Sequence, residues 1–197
     1  MESLEQLRLS PEERRQVKEW MEDESWVRGH WYGRDAEYIG YVQDILENPV
    51  FCSMDHYYQH GRTTCKEHCI RVSYLSYRIC RRMGRDSRSA ARAALLHDLF
   101  LYDWHTHARL TGEHFHGYTH PRTALNNANR YFELTEQEQN MILRHMWPLT
   151  PIPPATVEGL AVCYADKVCS SAEVVGNIRD WIQSKTGVRH DILGKSI

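Results

Sequence analysis

Residues 86–101 read DSRSAARAALLHDLFL and contain the most informative helical pattern of the chain. Asp86 has the short acceptor side chain that favours a helix N-cap. Five later residues recur at steps of three and four and share one helix face: Ala90, Ala93, Ala94, His97 and Leu101. The small alanine side chains allow a neighbouring helix to approach this face closely. The pattern therefore predicts a buried helix that ends near the dipeptide His97-Asp98.

The segments on either side show helical periodicity, and turn signals fall between them. Thr135 and Glu138 form a capping-box pattern that opens one helix ending before Pro148, and Pro121 lies near the start of another. Further helices are predicted at 11–24, 35–47, 65–83 and 155–174, with connections at 102–118 and 148–154. The expected fold class is all-α, a helical bundle. We expect an N-terminal helical appendage at 1–58 and a main domain at 59–197, together forming one compact unit.

The composition is that of an ordinary globular protein, with 42% hydrophobic and 25% charged residues among 197. A formal net charge of −2, with both signs interspersed, gives no general attraction to nucleic acid, so no polynucleotide binding is expected. No apolar stretch has the length of a membrane span. Residues 1–15 lack the pattern of a secretory signal, so a cytoplasmic protein is expected. The six cysteines contain no CxxC pair and are predicted to be reduced thiols.

The distribution of histidine indicates a chemical role, because seven of the twelve histidines lie in the segment from His97 to His145. Six metal-ligating side chains lie at or near the core-facing side of separate predicted helices: His68, His97, Asp98, His120, His145 and Asp166. From one helix to the next, the candidate ligands are 21 to 29 residues apart along the chain. This spacing equals one helix plus its connection, so a helical bundle can bring these side chains to one centre. Imidazoles with carboxylates suit Fe, Mn, Co, Ni or Zn better than Ca or Mg.

This ordered H…HD…H…H…D series resembles that of the HD-domain superfamily of metal-dependent phosphohydrolases, from about Gln59 to Ser171. The resemblance implies an HD-domain helical bundle that binds two divalent transition-metal ions. One ion would be held by four of the six residues: His68, His97, Asp98 and Asp166. The second would be held by His120 and His145, with Asp98 bridging the two. The implied reaction is in-line hydrolysis of a phosphate ester, of a nucleotide or another small phosphorylated metabolite.

Two departures narrow this resemblance. Leu101 stands three residues beyond Asp98, where many signalling members of the superfamily carry a lysine. The GYP signature of the cyclic-di-nucleotide phosphodiesterases is also absent. Both observations argue against a cyclic-di-nucleotide substrate.

Residues near the series are further candidates for the site. Asp98 and Asp103 are predicted catalytic carboxylates, Asp103 acting as a base or orienting a ligand histidine. Arg71 and Lys167 are predicted to donate hydrogen bonds to substrate phosphate, although a solvated surface charge explains either equally well. Asp103 can equally be a residue at a helix end. Three histidines are predicted to bind substrate: His60, His114 and His116.

Two other functions stay open from the sequence. The same ligand order holds two irons in some proteins that resemble this superfamily and oxidise a carbon bond with oxygen. A third alternative is a non-catalytic, metal-stabilised sensor module. The expected partner is a small phosphorylated substrate, and a homodimer is an open alternative to a monomer.

Overall fold

The structure, a computed structural model, describes residues 31–60, 63–104, 112 and 115–186. The predicted helix at 11–24 and the predicted site residue His114 lie outside the described residues. Within them, seven α-helices and one two-stranded antiparallel sheet are present. The helices are α1 Ala36–Leu46, α2 Pro49–Cys52, α3 Cys65–Arg82, α4 Ser87–Leu96, α5 His116–Tyr131, α6 Glu136–Arg144 and α7 Val157–Thr186. The strands are β1 Tyr58–His60 and β2 Thr63–Thr64, and 3-10 turns span Trp31–Arg34 and Ser53–His56.

The all-α prediction is confirmed, and α3 and α4 form the centre of the bundle. They pack along each other, α7 lies against α3 and α4, and α6 lies against α4 and α7. α5 contacts α6, and α1 covers α4. The alanines of α4 are fully buried, so that α3, α7, α6 and α1 can all approach this short helix.

Helix α1 contributes to the same core as the later helices. Its residues Tyr38, Val42 and Ile45 are fully buried. The Tyr38 hydroxyl donates a hydrogen bond to Ser73 Oγ of α3 at 2.9 Å. Thus α1, which lies before the predicted domain boundary at 58/59, packs on the bundle. The boundary itself stays a prediction.

The predicted helix caps are present in the structure. Asp86 accepts a hydrogen bond from the Ser89 backbone N–H at 2.9 Å, and Thr135 and Glu138 form a reciprocal capping box. Gly84, just beyond α3, has φ +62°, the left-handed conformation that ends many helices. The Asp86 and Thr135 caps could be predicted because each involves residues only three positions apart.

Helix α1 ends at Leu46, close to its predicted end at residue 47, and the Asn48 side chain caps the short helix α2, which was not predicted. Three local expectations were wrong. Helix α4 ends at Leu96 and Leu101 has φ +60°, so Leu101 does not continue the helix face. Helix α5 begins at His116, inside the predicted connection, and contains Pro121 in its interior. Helix α7 continues to Thr186, twelve residues beyond the predicted end, and the small sheet was not predicted.

All six cysteines are free thiols, and all except Cys52 are buried. Among the described helices, none is long and apolar enough to cross a membrane.

Candidate metal centre

The six residues of the histidine and aspartate series converge in the centre of the bundle. His68 lies on α3, His120 on α5 and Asp166 on α7, while His97 and His145 are the C-cap residues of α4 and α6. All six are buried, and none exposes more than 8% of its surface. The prediction that separate helices bring these side chains together is confirmed.

Asp98 lies at the centre of the cluster, and its two carboxylate oxygens face different histidines. Its Oδ2 is 3.4 Å from His97 Nε2 and 3.9 Å from His68 Nε2. Its Oδ1 is 3.2 Å from His120 Nε2 and 3.6 Å from His145 Nε2. One carboxylate therefore contacts two pairs of imidazoles.

Asp166 supplies the second carboxylate. Its Oδ1 lies 3.3 Å from His68 Nε2 and 3.8 Å from His97 Nε2. It also accepts a hydrogen bond from Ser170 Oγ, one turn further along α7. Asp166 is thus directed toward the pair His68 and His97.

The ends of α4 and α6 orient two histidines in the same way. His97 Nδ1 is 2.7 Å from the Ala94 carbonyl oxygen, and His145 Nδ1 is 2.8 Å from that of Ile142. A carbonyl oxygen only accepts, so Nδ1 carries the proton and Nε2 keeps its lone pair in the neutral ring. The carbonyls at the helix ends therefore orient both rings so that Nε2 faces Asp98.

The turn after His97 is also held in place. The Asn127 amide of α5 donates a hydrogen bond to the Leu99 carbonyl oxygen at 2.8 Å, and the Phe100 N–H bonds back to the Asp98 carbonyl. Asp98 consequently sits on a fixed turn rather than on a helix.

The donor atoms fit a transition-metal ion. His97 Nε2 and Asp98 Oδ1 are buried and lack a hydrogen bond of acceptable geometry within the described part of the chain. Such atoms are costly to bury unless another partner satisfies them. Neighbouring ligand atoms of an ion with bonds near 2.1 Å lie roughly 3.0–3.4 Å apart. The contacts around Asp98 and Asp166 begin at 3.2 Å, and three overlapping triads have all ligand atoms within 4.8 Å of one another.

Two side chains of the cluster, Asp98 and His145, have the charge state that a metal ligand needs. Burial opposes ionisation of Asp98, but the positive charge of His97 and the adjacent His120 imidazole hold its pKa well below the usual range. Burial and the charges of His97 and His120 lower the pKa of His145 to about 3, so this ring is neutral. The cluster therefore contains an anionic carboxylate beside a neutral imidazole, both able to donate electron pairs to a cation.

Comparison with protein-family profiles matches the HD domain at residues 66–170, which is more than half of the chain. The chain belongs to the HD-domain family. This family includes metal-dependent phosphohydrolases. All six residues of the cluster lie within the matched part of the HD domain. Neither the curated proteins nor the solved structures give a match.

The predicted phosphate-binding cations are both engaged with the protein. Arg71 Nη1 donates to Glu173 Oε1 at 3.2 Å. Lys167 Nζ donates to the carbonyl oxygens of Cys163 and His145, at 3.2 and 3.4 Å. Their roles toward a substrate stay predictions, and the contacts show that each donates hydrogen bonds to other residues of the protein.

The other predicted site residues are only partly described. Asp103 is exposed after the turn that follows Asp98, and its catalytic role stays a prediction. His60 ends β1 and His116 begins α5, but their side chains are not described.

Gln59 and Glu173 contact the cluster and were not predicted as site residues. Gln59 of β1 donates from Nε2 to Asp98 Oδ2 at 2.7 Å, and its Oε1 accepts from Cys65 Sγ at 3.3 Å. Glu173 of α7 contacts His68 Nδ1 at 3.1 Å. Glu173 had a readable signal, because it lies two helical turns after Asp166 and therefore on the same helix face. No local pattern marks Gln59.

Proposed function

We propose that this HD-domain protein is a metal-dependent phosphohydrolase that cleaves the phosphate ester of a nucleotide or another small phosphorylated metabolite. The observation that carries the proposal is the buried Asp98 carboxylate, which lies within 3.9 Å of four imidazole Nε2 atoms. Burying four histidines around one carboxylate carries a desolvation cost that an apolar core would avoid, so packing alone does not explain this arrangement.

The two pairs of histidines around Asp98 support a site for two divalent ions of the type Fe, Mn, Co, Ni or Zn. His68, His97 and Asp166 would hold one ion with Asp98 Oδ2, and His120 and His145 would hold the other with Asp98 Oδ1. When bound, such ions supply Lewis-acid polarisation of the phosphoryl group and lower the pKa of water toward neutrality.

The chain's own residues would fix the geometry of the reaction. The backbone carbonyls of Ala94 and Ile142 hold His97 and His145 with Nε2 toward the centre. Gln59 contacts Asp98 from the sheet and restrains the carboxylate that both histidine pairs share. Such restraint keeps ligands oriented before the substrate arrives, which is what positioning contributes to a rate.

The test is elemental analysis of the full chain purified without chelator, together with a screen of phosphate esters in added Mn²⁺, Co²⁺ or Ni²⁺. We expect about two metal ions per chain and release of phosphate. Two irons with oxygen uptake and no phosphate release would instead support the oxygenase. Stoichiometric metal with no turnover in either assay would support the sensor module.

A double variant, His97→Ala with Asp98→Ala, tests the assignment of the site. We expect it to lose turnover and most of its metal, because Asp98 contacts both histidine pairs. Full activity in this variant would overturn the assignment of the site.

A further inference from the structure

Glu173 is a buried carboxylate at the edge of the metal cluster. It lies on α7, and only 1% of its side chain is exposed. Its carboxylate oxygens are 3.1 and 3.3 Å from His68 Nδ1, and Oε1 accepts a hydrogen bond from Arg71 Nη1 at 3.2 Å. Two contacts with donors on α3 therefore compensate for burying its charge.

His68 differs from His97 and His145 in what its Nδ1 contacts. In those two rings Nδ1 faces a backbone carbonyl, whereas in His68 it faces a carboxylate. An ionised carboxylate cannot donate, so Nδ1 must carry the proton and the lone pair is left on Nε2. A carboxylate partner also increases the electron density of the imidazole, and thereby its strength as a ligand.

The local backbone explains why His68 needs this partner. His97 and His145 end their helices, where free carbonyl oxygens are available. His68 lies in the first turns of the 18-residue helix α3, where the nearby carbonyls take part in the helix hydrogen bonds. A side chain from another helix must therefore set its ring, and Glu173 is the acceptor that reaches Nδ1.

We infer that Glu173 is a positioning residue that orients His68 and fixes Nε2 as its metal-binding atom, while Arg71 holds the Glu173 carboxylate in place. This inference rests on the proposed metal site. It gives Arg71 an indirect role, in which Arg71 holds Glu173 and Glu173 orients the metal ligand His68. Glu173 itself would not touch the substrate or the ion.

A role limited to joining α7 and α3 makes a different prediction. In that case loss of Glu173 lowers the free energy of unfolding but leaves the metal affinity of the folded protein and the ligating nitrogen of His68 unchanged. The measurement must therefore read metal binding and the state of the His68 ring separately from stability.

The experiment uses Zn²⁺ alone, titrated by calorimetry into the metal-free full chain, in the wild type and in the variants Glu173→Ala and Glu173→Gln. We expect Glu173→Ala to weaken binding at the site that contains His68 by roughly 10- to 100-fold. Glu173→Gln keeps an acceptor oxygen without the charge, so its loss should be smaller. In the zinc-loaded proteins, ¹⁵N chemical shifts should identify Nε2 as the ligating atom of His68 in the wild type, and an altered ring state in Glu173→Ala.

Glu158→Gln is the matched control. Glu158 is also a buried carboxylate of α7, but its Oε1 accepts from the Asp86 backbone N–H, away from the cluster. We expect this variant to bind Zn²⁺ as the wild type does, even where its thermal stability falls.

The outcomes separate this inference from the proposed site. A wild type that binds no Zn²⁺ would overturn the metal site and the inference with it. Zinc binding in the wild type with equal affinity and an unchanged His68 ring in the Glu173 variants would overturn the inference alone. If Glu173→Ala does not fold, Glu173→Gln gives the decision, because unchanged affinity and an unchanged ring there would refute the role of the charge.

Discussion

Replacement of Gly159 by alanine should destabilise the protein through one close contact. Gly159 lies near the start of α7, and a Cβ atom there would be 2.5 Å from Pro154 Cβ and 3.4 Å from Met141 Cγ. The first distance is roughly 1 Å shorter than an ordinary carbon–carbon contact. Neither the Pro154 ring nor the backbone of α7 can move away easily. Overpacking of this kind costs about 1–3 kcal/mol.

The assay for Gly159→Ala is thermal unfolding followed by circular dichroism. For a chain of this size the expected cost corresponds to a fall in Tm of roughly 2–12 °C. Because Asp166 lies two turns further along the same helix, a shift of α7 should also weaken metal binding. A variant as stable as the wild type would refute the reasoning, since the contact would then have relaxed without cost.

Gly176→Ala is the matched control for that change. Gly176 also lies within α7, but a Cβ atom there meets nothing within 4 Å. The same substitution should therefore stabilise the helix by about 0.5–1 kcal/mol, because alanine loses less backbone entropy than glycine on folding. Opposite signs at the two glycines would show that packing, and not helix propensity, decides the effect at Gly159.

Three further predictions follow from the contacts above. Removal of bound metal by a chelator should lower the Tm measured by calorimetry. The expected fall is roughly 5–11 °C if the free metal concentration was 100 times its Kd, and added Mn²⁺ should restore the Tm. An unchanged Tm would argue against a site formed only in the folded state. The hydrogen bond from Arg92 lowers the pKa of Asp44, so this carboxylate stabilises the fold above its unfolded pKa, near 3.8, and loses that contribution as pH falls through the lower folded value. Asp44→Asn should therefore be less stable than the wild type at pH 7. In urea unfolding the difference should shrink as pH falls below the unfolded pKa, and a difference independent of pH would contradict the ion pair. Tyr38→Phe should cost about 0.5–1.5 kcal/mol in the same assay, because Ser73 loses the buried hydroxyl that donates to it, and no cost would mean that this bond contributes nothing net.

Much of the bundle was predictable from local pattern. Asp86, Thr135 and Glu138 marked two helix starts because a cap is made by residues three positions apart. The interior proline of α5 was misleading, because proline is most common in a first helical turn and here lies beyond it. The length of α7 was also underestimated, because Val175 and Ile178, just beyond the predicted end, are exposed and do not extend the buried stripe on which the prediction relied.

The residues that form the cluster were predictable for a different reason. Buried histidines and aspartates on successive helices are costly unless they share a partner, so their order along the chain already indicated a common centre. That argument could name His68 and Asp166 as members. It could not say which oxygen of Asp98 faces which histidine.

The sequence by itself thus determined the all-α class, most helix starts and the six side chains that meet in the core, because helix periodicity, caps and the cost of buried charge are properties of neighbouring residues. Only the tertiary structure decided that Gln59 contacts Asp98 and that Glu173 contacts His68, across 39 and 105 residues. Those contacts depend on the register and angle at which α7 and the sheet pack against the bundle. Many side chains must fit together at once to set that register, and no local pattern along the chain encodes it.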